Sequence, residues 1–208
     1  MFAPHQGRRV AVNYGSAAGE LAACVSAVGL ADRSDLTKLV LEAPHDQMGQ
    51  LMSRLAGGII APGGARLASG AWWCGVSSER VVVLCERRQG DRLHDQLHAR
   101  AAQQPTVRVE DQTADWAAIE VVGRYTDRVL RELGVYGESG DPRRVQPLTA
   151  HAGALWLLES DRKALALVAQ ASAGAVWRAI ERAGRRFGIC AVGQDAITRY
   201  ALIRREAL

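Results

Sequence analysis

The chain has 208 residues and is 48% hydrophobic, which provides enough apolar material for one large domain or two small ones and excludes a mainly disordered protein. Its 26 basic and 22 acidic residues leave a net charge of only +4. The arginines occur in short groups, such as Arg185-Arg186 and Arg204-Arg205, and form no basic stretch with interleaved aromatic residues. We therefore expect no nucleic-acid partner.

Hydrophobic spacing predicts a mixed run of strands and helices in the first half of the chain. An apolar strand over residues 39–43 is followed by a helix, with apolar side chains at helical spacing over residues 48–55. Residues 71–76 and 81–85 are rich in β-branched, aromatic and aliphatic side chains, which predicts two strands joined by a turn. A second helix is expected near residues 91–102.

The second half predicts the same elements in the same order. A strand over residues 119–122 precedes a helix near residues 129–133. Two strands are expected over residues 154–158 and 164–168, and a closing helix over residues 173–183. The chain is thus expected to build one kind of unit twice.

A nearly constant offset links the two halves. Asp32, Ser34, Pro44 and Leu51 recur 79 residues later as Asp111, Thr113, Gly123 and Leu130, and the offset grows to 83 in the last helix. Glycines and prolines predict that residues 134–147 form a surface excursion of the second half. We predict an α+β fold of two pseudo-repeated units, residues 1–105 and 106–208, with mostly antiparallel sheets and flanking helices in one pseudo-symmetric body.

Targeting and metal-binding motifs are absent or incomplete in the sequence. The N-terminal residues MFAPHQGRRV lack an apolar signal-peptide core, and no apolar run is long enough to span a membrane, so we expect a cytoplasmic protein with no membrane partner. In HDQLH, His94 and His98 have the spacing of zinc ligands on a helix, but no third ligand can be named and no metal site is predicted. Buried reduced thiols are expected for the cysteines, which lack CxxC spacing: Cys24, Cys74, Cys85 and Cys190.

Three stretches carry motifs beyond the repeat. The first, NYGSAAGELAACVSAVGLADRSDLTKLVLEAP, has a Y-G-S, E, G-x-x-D-x-S pattern at Tyr14-Gly15-Ser16, Glu20, Gly29, Asp32 and Ser34. The others are VRVEDQTADWAAIEVVGRYTDRVLREL and AVWRAIERAGRRFGICAVGQDAITR. Together they resemble the glycine cleavage T-protein family, the folate-dependent aminomethyltransferases, over nearly the whole chain. The resemblance implies an internally duplicated fold around a central cleft that binds tetrahydrofolate.

The chain departs from that family at the positions that carry its chemistry. With Gly63-Gly64 in register, the family's Asp-Asp pair, which contributes the catalytic carboxylate, falls on Leu67 and Ala68. Neither side chain can take or hold a proton. The segment WLLESD differs from the family's T-G-Y-T-G-E, and Thr198 and Tyr200 stand where an arginine and a folate-binding glutamate are expected. The family's third domain would begin where this chain stops.

A second resemblance concerns a shorter relative. The stretch WCGVSSERVVV partly matches the W-L-G-P-D-E-W-L motif of the γ subunit of heterotetrameric sarcosine oxidase, keeping the tryptophan, glycine and glutamate with one extra residue. That subunit is similar in fold to the T-protein, has the same abridged length and carries no cofactor itself. The resemblance implies a protein that works through contacts with partner subunits.

The sequence therefore predicts a non-catalytic subunit or accessory protein of an amine-oxidising or one-carbon complex, with protein partner subunits or a homodimer. No catalytic residue and no firmly bound cofactor are predicted. The alternative is a tetrahydrofolate-binding protein, or a folate-dependent aminomethyltransferase that acts with a partner. Stacking and a carboxylate in that folate cleft would come from Tyr14, Trp72, Trp73, Asp111 and Tyr200. Because neighbouring strand residues face opposite sides, only one tryptophan of the pair is free to stack on a ligand.

Overall fold

The computed structural model describes residues 2–5, 8–135, 144–148 and 153–206. The helices among them are α1 (Ala17–Ser26), α2 (His45–Leu55), α3 (Arg87–Ala101), α4 (Thr126–Glu132), α5 (Ala173–Gly184) and α6 (Gln194–Glu206). The strands are β1 (Phe2–His5), β2 (Arg8–Ala11), β3 (Val28–Asp32), β4 (Thr37–Glu42), β5 (Ala65–Ala68), β6 (Ala71–Gly75), β7 (Arg80–Cys85), β8 (Arg108–Asp111), β9 (Trp116–Gly123), β10 (Arg144–Leu148), β11 (Ala154–Ser160), β12 (Lys163–Ala169) and β13 (Ile189–Ala191). Short 3-10 turns at Gln170–Ser172 and Arg185–Phe187 flank α5.

Two large sheets form the centre of the molecule. One sheet has five strands in the order β5-β6-β7-β4-β8, and the other has six in the order β10-β11-β12-β9-β3-β13. Neighbouring strands of both sheets are antiparallel, except that β13 runs parallel to β3. β1 and β2 form a separate antiparallel pair. The predicted α+β class with mostly antiparallel sheets and flanking helices is confirmed.

The two halves exchange their first strands. β3 comes from the first half of the sequence but pairs with β9, which lies in the sheet of the second half. Reciprocally, β8 starts the second half and pairs with β4 in the sheet of the first half. Each sheet therefore contains strands from both halves, so neither half of the sequence completes a sheet by itself.

Equivalent turns follow the two exchanged strands. In each turn, the aspartate that ends the strand accepts a hydrogen bond at 2.8 Å from the backbone N–H two residues later. The next hydroxyl reaches the opposite half: Ser34 Oγ accepts the Ala118 N–H at 3.3 Å, and Thr113 Oγ1 accepts the Lys38 N–H at 2.9 Å. The two turns thus make equivalent hydrogen bonds, at positions that differ by the sequence offset of 79.

The structure also shifts part of the predicted alignment by one residue. The Ala43 N–H donates to the Glu79 carbonyl, and in the other half the Gly123 N–H donates to the Arg162 carbonyl. Gly123 is thus equivalent to Ala43 and not to Pro44, because the second half has one extra residue between its turn and its long strand.

Helices cover the outer faces of both sheets. Helices α2 and α3 pack on the five-stranded sheet, and α4 and α5 pack on the six-stranded sheet, each pair closing an apolar core. The inner faces pack against each other through a third apolar cluster. Helices α1 and α6 pack against another part of the six-stranded sheet, which includes Ala31 on β3 and Val122 on β9. The junction of the two sheets and α6 is where the candidate site lies.

The predicted surface excursion over residues 134–147 is wrong at its C-terminal end. Residues 144–148 form β10, the edge strand of the six-stranded sheet, paired with β11. An edge strand tolerates Pro147, which is why a proline misled the sequence-based prediction. Residues 136–143 of that segment lie outside the described part of the chain. Among the described helices, none combines the length and the apolar composition that crossing a membrane requires.

Candidate functional site

A cavity of about 210 Å³ lies between the two sheets at the end nearest α6. Its lining is unusual for a space between two sheets because it includes charged as well as apolar side chains. The lining residues are Arg33, Leu36, Leu67, Gly70, Trp72, Leu84, Cys85, Glu86, Glu120, Glu159, Lys163 and Leu165. We call this space the intersheet cavity.

The two-residue period of the strands brings three of the charges together. In β11, Glu159 follows Leu155 and Leu157 on the face that packs against the other sheet. In β12, Lys163 precedes Leu165 on the same face. Glu120 in β9 is the cross-strand partner of Leu165, which lies two residues after Lys163 in β12. The inner face of the six-stranded sheet thus changes from leucine to charged residues at one end.

Arg33, directly after β3, is the centre of an ion-pair network. Its guanidinium donates to Glu120 Oε2 at 2.9 Å, to Asp35 Oδ1 at 3.1 Å and to Glu86 Oε1 at 2.7 Å. Burial by itself lowers the pKa of Arg33, but the carboxylates of Glu120, Asp35 and Glu86 outweigh it and raise the pKa above its ordinary value. Arg33 therefore stays charged, with its donors directed at these carboxylates.

Lys163 forms the second cationic centre. Its Nζ lies 3.1 Å from Glu159 Oε2 and 3.7 Å from Glu120 Oε1. Burial lowers the pKa of Lys163, while Glu120 and Glu159 raise it by more, so the net direction is upward. For Glu159 the balance is opposite, because burial raises its pKa and the attraction of Lys163 does not cancel that effect.

The opposite wall of the intersheet cavity is apolar. Leu67 on β5, Trp72 on β6 and Leu84 on β7 are direct cross-strand neighbours and form a row across the five-stranded sheet. Leu67 is 56% exposed although it lines the cavity, because β5 is an edge strand. Trp72 is half-buried and packs against the apolar cluster between the sheets. This wall offers an aromatic ring and branched alkyl groups, but no acid or base.

A second hollow of about 360 Å³ adjoins the intersheet cavity. Arg33, Glu86 and Lys163 line both hollows, so these side chains lie where the two spaces meet. The second hollow adds Asp35 and one side of α6, including Thr198 and Leu202.

The two predicted tryptophans take opposite sides of β6, as the alternation of a strand requires. Trp73 is fully buried in the core under α2 and α3, with its indole N–H donating to the Ala68 carbonyl at 3.3 Å. Trp72 lines the intersheet cavity. Of the pair, Trp72 is the residue whose ring is available to a ligand.

The other three predicted site residues lie elsewhere in the described part of the chain. Tyr14 is half-exposed and lines a separate hollow of about 300 Å³ with Trp177. Asp111 is exposed at the end of the edge strand β8, where its carboxylate holds the turn to Thr113. Tyr200 is buried in the cluster between α1 and α6. The structure therefore does not bring the five residues into one cavity.

Sequence reasoning missed the charged residues that line the intersheet cavity. Glu120 interrupts the apolar strand sequence AAIEVVG, and its side chain is only 2% exposed. A carboxylate inside an otherwise apolar strand is a signal by itself, because buried charges require partners. The partners were not readable, since Arg33 is 87 residues away in sequence and reaches Glu120 only because β3 is exchanged.

The cysteines and the candidate metal ligands lie apart from the intersheet cavity, except for Cys85 and the carboxylates that line it. Cys24, Cys74 and Cys85 are buried, as expected, whereas Cys190 is exposed. Burial raises the pKa of both Cys24 and Cys85 to about 12, so neither is a thiolate near neutral pH. Over the ranges that the structure describes, no three His, Cys, Asp or Glu side chains are grouped to hold a metal ion.

Comparison with solved structures identifies the architecture. The glycine cleavage system aminomethyltransferase T of Bartonella henselae matches with a TM-score of 0.73 and 15% sequence identity, over 94% of this chain. The chain has the fold of the glycine cleavage T-protein. It spans 56% of the length of that aminomethyltransferase, so this chain corresponds to little more than half of the T-protein.

A second match is to a chain of similar length. It is a chain of the heterotetrameric sarcosine oxidase of Corynebacterium sp. U-96, solved in complex with pyrrole 2-carboxylate, with a TM-score of 0.64 and 19% identity. The match covers 85% of this chain and 95% of that chain. No protein-family model matches the sequence, and no curated protein matches it either. The predicted resemblance is thus confirmed in the fold.

Proposed function

We propose that this T-protein-fold chain is a non-catalytic, cytoplasmic subunit or accessory protein of an amine-oxidising or one-carbon complex. The observation that carries the proposal is the wall of the intersheet cavity at β5, where Leu67 occupies the position expected for the family's catalytic carboxylate. A leucine cannot transfer a proton. The carboxylates that line the cavity lie on the opposite wall or at its edge and are held in ion pairs.

The residues present do not fit tetrahydrofolate as a whole. At about 210 Å³, the intersheet cavity is smaller than the roughly 300–1,000 Å³ that is usual for cofactor-sized ligands. The glutamate tail of a folate is anionic, and at the boundary to the second hollow it would meet Glu86 and Asp35. Arg33, which could otherwise bind a carboxylate, already contacts three of them.

Exposed apolar residues support a role that depends on a partner protein. Leu67 lines the intersheet cavity and Leu202, 53% exposed on α6, lines the adjoining hollow, so both openings have an exposed leucine. Ile203 extends the apolar surface of α6. The sarcosine oxidase to which this chain is similar is a heterotetramer. Exposed apolar side chains around a cleft are typical of a surface that another protein covers.

The proposal is tested by combining ligand titration with an activity assay. The purified protein is titrated with tetrahydrofolate and its formyl and methylene forms while tryptophan fluorescence and melting temperature are recorded. A ligand that bound only the folded state would raise the melting temperature. We expect neither signal to change saturably, because the residues present do not fit the cofactor. Formation of methylenetetrahydrofolate by the chain with the remaining glycine cleavage components would overturn the proposal.

The variant Leu67→Asp distinguishes two reasons for inactivity: a missing catalytic carboxylate and a cavity that does not accommodate the folate cofactor. If only the carboxylate were missing, this variant would gain folate-dependent activity, whereas we expect it to remain inactive because the cavity does not accommodate the cofactor. Leu202→Asp is the matched control, because it places the same charge at the other opening. Sedimentation of the unmodified protein is expected to show self-association, and Leu202→Asp is expected to reduce it.

A further inference from the structure

Two segments of the chain contain its whole excess of positive charge. Residues 124–132 and 173–188, which include α4 and α5, hold seven arginines against three acidic residues. The rest of the chain has equal numbers of basic and acidic side chains, since the net charge of the whole is +4. A local excess of this kind sets the sign of the partner that a surface attracts.

Helix packing brings arginines of both segments together around two aromatic rings. Tyr125, before α4, contacts Phe187, after α5, with ring centroids 6.1 Å apart, and both rings pack on the core beneath. The guanidinium carbons of Arg124 and Arg128 lie 5.5 and 5.1 Å from the Tyr125 centroid, and that of Arg186 lies 4.8 Å from the Phe187 centroid. We call the following exposed or half-buried group the arginine surface: Arg124, Tyr125, Arg128, Arg185, Arg186 and Phe187.

The carboxylates beside the arginine surface already have partners. Three of them form ion pairs, Asp127–Arg131, Glu132–Arg186 and Asp161–Arg162. Glu181 accepts the indole N–H of Trp177. Within the described part of the chain, Arg124, Arg128 and Arg185 form no ion pair, and all three are exposed.

Local helix stability does not explain Arg124 and Arg128. Positive charge is favourable at the C-terminus of a helix, which suits Arg185 and Arg186 directly after α5. Arg124 and Arg128 lie at the start of α4, where the helix dipole disfavours positive charge. A negatively charged partner would offset this cost.

We infer that the arginine surface docks an acidic segment of a partner protein, whose carboxylates pair with Arg124, Arg128 and Arg185. A guanidinium presents a planar fork that binds a carboxylate through two parallel hydrogen bonds, and arginine is enriched in protein interfaces. The aromatic rings beneath Arg124 and Arg128 restrict these side chains before binding, which lowers the entropy lost on docking. The inference rests on the proposed function for the existence of a partner protein and adds its chemistry.

The mixed charges favour a protein over a nucleic acid or a lipid surface. Asp127, Glu132 and Glu181 lie in the same two segments and would repel a partner that carries only phosphates. A protein partner can place basic side chains opposite them. The rings of Tyr125 and Phe187 are half-buried and overlaid by arginines, so they are poorly placed to stack on bases.

The inference is tested by titrating the intact protein with a fluorescein-labelled polyglutamate peptide while fluorescence anisotropy is recorded at low ionic strength. We expect saturable binding that weakens as salt is added, because exposed charges are screened. An oligothymidylate with the same number of negative charges is expected to bind more weakly than the peptide. No saturation at about 1 mM peptide, or tighter binding of the oligothymidylate, would overturn the inference.

Paired variants locate the docking surface. The double variant Arg124→Gln/Arg128→Gln is expected to weaken peptide binding by at least about tenfold. The matched control Arg92→Gln/Arg100→Gln removes two exposed arginines from α3 and is expected to retain most of the affinity. Both variants should keep the melting temperature of the unmodified protein, because the substitutions are at the surface. Equal losses in the two variants would contradict the site.

Failure of this inference is distinguishable from failure of the proposed function. Absent peptide binding together with absent folate activity would reject the arginine surface and leave the non-catalytic role standing. Formation of methylenetetrahydrofolate would overturn the non-catalytic role, whatever the peptide does.

Discussion

At the scale of single residues, Arg33 is expected to be indispensable for stability. Arg33→Ala would remove the cation that is hydrogen-bonded to both Glu120 and Asp35, and breaking such a buried ion pair typically costs about 3–5 kcal/mol in the free energy of unfolding. Arg186→Ala is the matched control, since it removes an arginine paired with Glu132 at the surface and should cost less than about 1 kcal/mol. Urea denaturation of the two variants measures the difference, and similar losses would show that the Arg33 network contributes little.

Glu159 gives the protein a predictable pH dependence. Its pKa is raised above the ordinary value of 4.5 by burial, near Lys163, Glu120 and Arg33. Between the ordinary and the raised pKa, the folded state holds a proton that the unfolded state has released, so this group lowers stability as pH rises through that window. Glu159→Gln removes the titration. The melting temperature of this variant, relative to the unmodified protein, should therefore increase as pH rises above about 4.5.

The exposed Glu79→Gln variant is the control for this pH series, because the Glu79 side chain lies in the turn between β6 and β7, away from the intersheet cavity. Its melting temperature is expected to follow that of the unmodified protein at every pH. A constant difference between Glu159→Gln and the unmodified protein across the series would contradict the predicted role of Glu159.

At the scale of elements, the turns after β3 and β8 fasten the exchanged strands. Ser34→Ala and Thr113→Val each leave a buried backbone N–H, of Ala118 or Lys38, without its acceptor. We expect each substitution to lower the free energy of unfolding by about 1–3 kcal/mol. The exposed Ser77→Ala should change it by less than about 0.5 kcal/mol. Chemical denaturation compares the three, and a negligible effect in both turn variants would mean that the strands are held by their ladders alone.

Local periodicity was sufficient to predict the elements that have a clear apolar face. Helices α2, α3 and α5 and strands β6, β7, β11 and β12 fall where apolar spacing placed them. Strand β10 was missed because a proline in an edge strand looks like a loop in sequence. The exchange of β3 and β8 was not predictable either, since pairing partners of a strand depend on contacts distant in sequence. For the same reason the ion-pair network around Arg33 could not be predicted from the sequence.

At the scale of the whole molecule, strand exchange joins the two halves into one folding unit. Isolated, residues 1–105 would contain β3 without β9, and residues 106–208 would contain β9 without β3. The inner face of each sheet would also lose the apolar surface against which it packs. The two units proposed from the sequence are therefore expected to be repeats in origin that cannot fold as independent domains.

Separate expression of residues 1–105 and 106–208 tests this coupling. The cut falls in the exposed loop between α3 and β8, so it breaks no element. We expect each fragment alone to lack a cooperative thermal transition, and the mixed fragments to recover one together with buried tryptophan fluorescence. Trp73 and Trp156 report separately on the two halves, because each is fully buried in a different core. If either fragment folded alone with the stability of the full chain, the exchanged strands would not be required for folding. The two halves would then be autonomous domains, and the intersheet cavity would be part of the interface between them.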